Sequence, residues 1–156
     1  MGTEVERRKF VGRGTVDARG GLYSRGVPVL GDGIPARKGN VYHVDSGHAA
    51  ASNSNPGTSP DYPLATIDAA VGKCTANNGD LILVSEGHVE TVVAAAGLDL
   101  DVAGITIVGL GQGNTRPKVV FTTATSADAD VDAADIRLIN LVFECGIDSQ
   151  TLMLDV

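Results

Sequence analysis

The sequence predicts an all-β chain of stacked coils, preceded by an extended arm and interrupted by one short helix. Three observations carry this. Runs rich in Ile, Val and Leu at 81–84, 105–108, 119–121, 136–139 and 152–154 are short and bounded by turn residues. Only one segment has helical periodicity, so the strand–helix alternation of a doubly wound sheet is missing. Finally, Gly104–Leu110 (GITIVGL) and Asp135–Leu141 (DIRLINL) repeat one pattern 31 residues apart. A period of about 20–50 residues marks units that bury their inner faces only against one another. In each copy the first Ile is expected to face inward, Thr106 or Arg137 outward, and the next apolar residue inward again.

From the N-terminus, residues 12–39 are broken by glycines and prolines that sustain neither helix nor strand. Phe10, Val11, Leu22, Tyr23, Val27, Val29 and Leu30 are scattered through this arm as apolar anchors, which a plain linker has no reason to carry. Left alone, a segment of this composition cannot bury enough surface to fold, so it is expected to order on a partner. Val41–Val44 reads as a strand, 45–60 as a small-residue loop turning at Asn55-Pro56-Gly57, and 63–75 as the helix. Leu64, Ile67, Val71 and Cys74 fall on one helical face, Pro63 suits a first turn, and Asn77-Asn78-Gly79 supplies a left-handed stop. The domain boundaries expected are an arm at 1–40 and a body at 41–156.

Charge divides the chain in the same way. Residues 1–40 hold eight basic and four acidic side chains, whereas residues 41–156 hold four basic and fifteen acidic ones. A basic segment ahead of an acidic body points to a negatively charged partner surface. No apolar stretch approaches the roughly 18 residues of a membrane span, and MGTEVERRKF is not followed by the apolar core of a secretory signal, so no membrane partner is expected. Two cysteines, Cys74 and Cys145, make no disulfide framework and are read as reduced thiols.

The run Tyr42–Gly47 (YHVDSG), Asn55–Pro60 (NPGTSP), Pro63–Ala70 (PLATIDAA) and Gly79–Val84 (GDLILV) resembles the opening of right-handed parallel β-helix proteins of the pectate-lyase-like class. There such a run forms an N-terminal cap and the first coil. The continuation through Gly87–Thr91 (GHVET), Asp101–Leu110 and Asn114–Pro117 resembles β-helix proteins among the structural genes of tailed bacteriophages. The resemblance covers about residues 41–145. It implies a short right-handed parallel β-helix with a capping helix, usually a homotrimer, in a virion. Such a solenoid exposes strand edges at its last coil, which a symmetry mate or the virion must cover. The expected role is a head decoration or cement protein bound to the major capsid protein, assembled in the host cytoplasm and residing on the capsid surface. The contact residues expected in the arm are Arg7, Arg8, Lys9, Phe10, Arg13, Arg19, Leu22, Tyr23 and Arg25.

Motifs with chemical potential read more plainly as structure. Gly109, Gly111 and Gly113 follow a strand, but Thr115-Arg116-Pro117 leads into another strand, whereas a dinucleotide site needs a helix aimed at phosphate. A tight corner is the better account. Asp128, Asp130 and Asp132 would share one face of an extended strand and could offer carboxylates to Ca²⁺. No lyase-type base accompanies them, so a solvated turn is expected. His43, Asp45 and His48 lack the spacing of a metal site, and His88 with Glu90 reads as a turn pair. With no Trp and 4% aromatic residues, the chain lacks a stacking platform for glycans. No catalytic residue, metal or cofactor is therefore expected. Nucleic acid is not expected either, because the acidic body repels phosphate and aromatics are few in the arm. A truncated tailspike-like polysaccharide-binding or -degrading protein and a tail or baseplate adaptor remain the alternatives.

Overall fold

The computed structural model describes residues 23–24, 27–28, 39–122, 124–148 and 154–156. The chain divides into two units, Met1–Ile34 and Pro35–Val156. In the first, β1 (Tyr23–Ser24) pairs antiparallel with β2 (Val27–Pro28). The remaining arm positions expected to make contacts, Arg7, Arg8, Lys9, Phe10, Arg13, Arg19, Leu22 and Arg25, lie outside the described residues.

The second unit is built almost wholly of parallel strands. Its elements are β3 (Val41–Val44), α1 (Ile67–Val71), β4 (Leu81–Val84), β5 (Val89–Thr91), β6 (Leu98–Asp99), β7 (Thr106–Gly109), β8 (Lys118–Phe121), β9 (Ala129–Asp130), β10 (Arg137–Ile139), β11 (Val142–Cys145) and β12 (Leu154–Asp155). They form three parallel sheets in the orders β10-β7-β4-β3, β11-β8-β5 and β12-β9-β6. From β4 onward every third strand therefore returns to the same sheet. The 31-residue echo in the sequence is the register itself: Thr106, Ile107 and Val108 pair with Arg137, Leu138 and Ile139.

The core follows from alternation along these strands. Ile82, Val84, Ile105, Ile107, Val119 and Phe121 are fully buried, joined by Leu98, Leu100, Ala127 and Ala129 from the third sheet and its flanks. Leu138, Leu141 and Phe143 on the last strands pack on this cluster only partly buried. Outside the core, alternation gives the side of the sheet but not the exposure. Thr106, expected at the surface, is 7% exposed, and Leu81 and Val108 on the same outward face are buried too. Leu81, Thr106 and Arg137 stand in one register column, and strands about 4.8 Å apart let such neighbours cover one another.

The helix is shorter than its apolar stripe. Helical residues run from Ile67 to Val71 only, not from 63 to 75. Leu64 leaves the helix because its backbone bridges β3: its N–H donates to His43 O (2.9 Å) and its carbonyl accepts from Asp45 N–H (2.9 Å). Thr66 then caps the helix, its Oγ1 accepting from Ala69 N–H (3.2 Å). The stripe is right about burial, since Leu64, Ile67 and Val71 are all fully buried.

Beyond the helix, Asp80 holds the turn. This fully buried carboxylate accepts from Asn40 N–H (2.6 Å), Thr75 N–H (2.7 Å) and Asn78 Nδ2 (2.8 Å), and so ties the approach to β3 to the approach to β4. The glycine-rich segment is a corner: Gly111 has φ +87, and three residues of 3₁₀ turn, Gly113–Thr115, follow before β8. A Cβ at Gly111 would sit 2.7 Å from Thr115 O, so only glycine fits there. No helix of the described residues is long and apolar enough to cross a membrane. Asp80→Ala strips the acceptor from three donors at once. We expect it to lower unfolding stability by about 2–4 kcal/mol in urea denaturation, against less than about 0.5 kcal/mol for exposed Asp61→Ala.

Candidate functional site

Glu90 is the middle residue of β5 and faces inward, in the position that Val119 and Phe143 fill on the neighbouring strands. A carboxylate in an apolar column is costly unless its oxygens find donors. Two converge on Oε2: Ile67 N–H at the start of α1 (2.8 Å) and the His88 ring nitrogen Nε2 (3.3 Å). His88 is itself fully buried. Its Nδ1 accepts from Ser46 N–H (2.9 Å), which places the ring proton on Nε2, facing Glu90. Ser46 Oγ in turn donates to Val89 O (3.1 Å) and accepts from Val89 N–H (3.2 Å). The expected turn pair is thus a buried clasp joining β5, the loop after β3 and the helix.

The clasp floors a cleft of about 440 Å³. Its polar lining comes from Ser46, Asn53, Thr66, Asp68, Glu90 and Thr91, with Ala65, Val89 and Gly97 between them. Asn53 Oδ1 accepts from Ala65 N–H (3.0 Å) and Thr66 N–H (3.2 Å), which fixes the wall. Asp68 Oδ1 accepts from Asp99 N–H (3.3 Å), so the cleft adjoins the third sheet.

That sheet carries a column of carboxylates. Asp99, Asp130 and Asp155 stand in parallel register on β6, β9 and β12. The single extended strand that would have grouped Asp128, Asp130 and Asp132 does not form, because β9 contains only Asp130 of the three, and the carboxylates align across strands instead. Burial raises the Asp99 carboxyl above the usual range, with Asp101, Asp132 and Asp68 adding to it. Burial likewise raises Asp130, with Asp128, Asp132, Asp155 and Asp99 contributing. Asp99 Oδ1 is sealed from solvent without a hydrogen-bond partner among the described residues.

The other candidates separate. Among the described residues no three His, Cys, Asp or Glu side chains come together as a metal site. His43 lies on β3, where burial draws it below the usual imidazole range. Asp45 Oδ1 accepts from Gly47 N–H (2.9 Å), and His48 Nδ1 accepts from Ala50 N–H (3.1 Å). Burial, aided by Asp80, pushes the Cys74 thiol up to about 12, whereas Cys145 is exposed at the end of β11. Tyr23 is described only as part of β1.

Sequence reasoning missed Glu90 as a site residue because a three-residue strand with one apolar member gives no periodicity. The one available signal was His88 and Glu90 at strand spacing, which puts both side chains on one face.

Two outcomes follow. His88→Leu leaves Ser46 N–H and Glu90 Oε2 each short of a partner. It should cost about 2–3 kcal/mol in urea denaturation, while ring ¹⁵N spectra of the wild type show one bare and one protonated nitrogen for His88. The carboxylate ladder acts with the opposite sign to a salt bridge. A carboxyl raised on folding binds its proton more tightly in the folded state, so its contribution is fully present below the unfolded value and is lost as pH rises through the folded value. Thermal melts should therefore show Tm rising as pH falls through the carboxylate range, with a shallower slope in Asp130→Asn. No family model matches the chain, nor does any curated protein or solved structure.

Proposed function

We propose that the second unit is a short right-handed parallel β-helix capped by α1 and the loop before it, and that the chain is a structural component of a tailed-phage virion. Its role in this reading is to decorate and stabilise the head lattice by binding the major capsid protein. The supporting observation is the register. Three parallel sheets are visited in rotation by β4–β6, β7–β9 and β10–β12, and all of these but β12 fall within residues 41–145, which carry the resemblance to phage β-helix proteins.

Among the described residues β10, β11 and β12 are the outermost strands of their sheets, and Leu138, Leu141 and Phe143 are partly buried. In this reading the protein is a homotrimer seated on the capsid surface. The basic segment bearing Arg7, Arg8, Lys9, Arg13, Arg19 and Arg25 then lies along acidic capsid seams, with Phe10, Leu22 and Tyr23 as anchors. Three arms on one trimer multiply individually weak contacts through effective concentration.

The reading is non-enzymatic. Ser46, His88 and Glu90 are adjacent, but Ser46 Oγ is engaged by the Val89 backbone and His88 Nδ1 by a backbone N–H. Among the described residues these three groups do not form the base-activated nucleophile of covalent catalysis. The two carboxylates on the cleft, Asp68 and Glu90, favour one second reading, a truncated tailspike-like polysaccharide-binding or -degrading protein. Release of reducing ends from an acidic polysaccharide would establish that reading in place of the first. A tail or baseplate adaptor is separated from a head protein by copy number in purified particles, on the order of hundreds for a lattice and a dozen or fewer for a tail. Deletion of residues 2–38 should abolish co-sedimentation with undecorated capsids while the far-UV circular dichroism of the body persists. Unchanged occupancy would refute the role of the arm.

A further inference from the structure

We infer that the cleft over the His88–Glu90 clasp binds an organic cation, a guanidinium or ammonium group on a short aliphatic stem. The inference begins with Glu90, which is 8% exposed and lines the cleft floor. Its Oε2 takes both of the carboxylate's donors, Ile67 N–H and His88 Nε2. Among the described residues Asp99 Oδ1 is the one side-chain oxygen both sealed and unpartnered, so Glu90 Oε1, which takes no hydrogen bond, is not sealed, and the cleft is the space that Glu90 lines. A buried carboxylate with one oxygen satisfied by the scaffold and the other turned to a cavity is arranged to receive a donor.

The rest of the lining sets the sign of that donor. Asp68 adds a second carboxylate, of which only Oδ1 is engaged, by Asp99 N–H. Ser46 Oγ and Asn53 Oδ1 are already committed to backbone groups. Among the described residues no Lys, Arg or His side chain lines the space, and the Asp99–Asp130–Asp155 ladder begins beside it. The described lining is therefore acidic without a counter-ion, and fifteen acidic against four basic residues in 41–156 steer cations toward it.

Geometry selects an organic cation over a metal. The carboxylates do not gather with a third ligand into a metal group among the described residues. A cleft of about 440 Å³ is also far larger than a desolvated ion needs. A planar guanidinium instead carries several N–H donors in a fixed fork, which suits a lining with the two carboxylates Glu90 and Asp68. Its stem would lie on Val89, half exposed at the wall, and on Ala65.

Agmatine is the probe, titrated into the ¹⁵N-labelled full chain with its neutral isostere pentylurea and methyl glucoside as controls. Agmatine should shift the amides of Thr66, Ile67, Val89 and Thr91 saturably, and the controls should not. Glu90→Gln should weaken binding by about tenfold or more. Because that residue is buried, exposed Thr91→Lys is the second variant; it places a cation at the rim and should abolish binding with the fold intact. Raising NaCl to 0.5 M should weaken binding in the wild type. The proposal is overturned if agmatine leaves these four amides unmoved. It is also overturned if Glu90→Gln and Thr91→Lys both bind as the wild type does, or if either neutral control binds as well as agmatine.

Discussion

In-register parallel pairing is the constraint on which the second unit depends. Ile82 stands on Ile107 and Ile107 on Leu138; Val119 stands under Phe143, and Leu98 on Ala129. Each inner side chain is thereby roofed and floored by the equivalent position of the next strand. Burying a residue of this size contributes about 1.5–3 kcal/mol, and that gain accrues only if every column keeps its register. A slip of one residue would turn all the inner side chains outward together, so the apolar columns and the backbone ladder enforce each other.

The same constraint accounts for the polar features. Register places Glu90 in the inner column of Val119 and Phe143, and a charge in that position has to be met by donors from outside the strands. His88 and Ile67 N–H meet it, and Ser46 N–H in turn holds the His88 ring, which is why the helix and the loop after β3 are anchored there. Asp80 does the equivalent work at the turn before β4. In the third sheet, register lines up Asp99, Asp130 and Asp155, and among the described residues no side-chain cation is paired with them. Their repulsion is tolerated because the columns of Leu98 and Ala129 inside hold the strands together.

The cleft and the carboxylate ladder beside it gather acidic side chains, and among the described residues no Lys, Arg or His side chain lines the cleft. In the proposed reading the protein works by attachment.

Sequence alone determined the class of the molecule. Runs of Ile, Val and Leu, the 31-residue echo and the lack of a second helical pattern specify stacked parallel strands, because these are local patterns of period two and a repeat length. The corner at Gly111 and the burial of Leu64, Ile67 and Val71 were legible for the same reason. The short strands β5, β6 and β9 were not, since two or three residues with acidic members carry no period and are strands only because longer neighbours template them. The helix contracted to five residues because Leu64 could bridge β3, a long-range choice invisible in its own segment. The site was hidden most completely. His88 and Glu90 read as a turn pair in the sequence, and only stacking beneath the helix buries them and joins them to Ile67 N–H and Ser46 N–H.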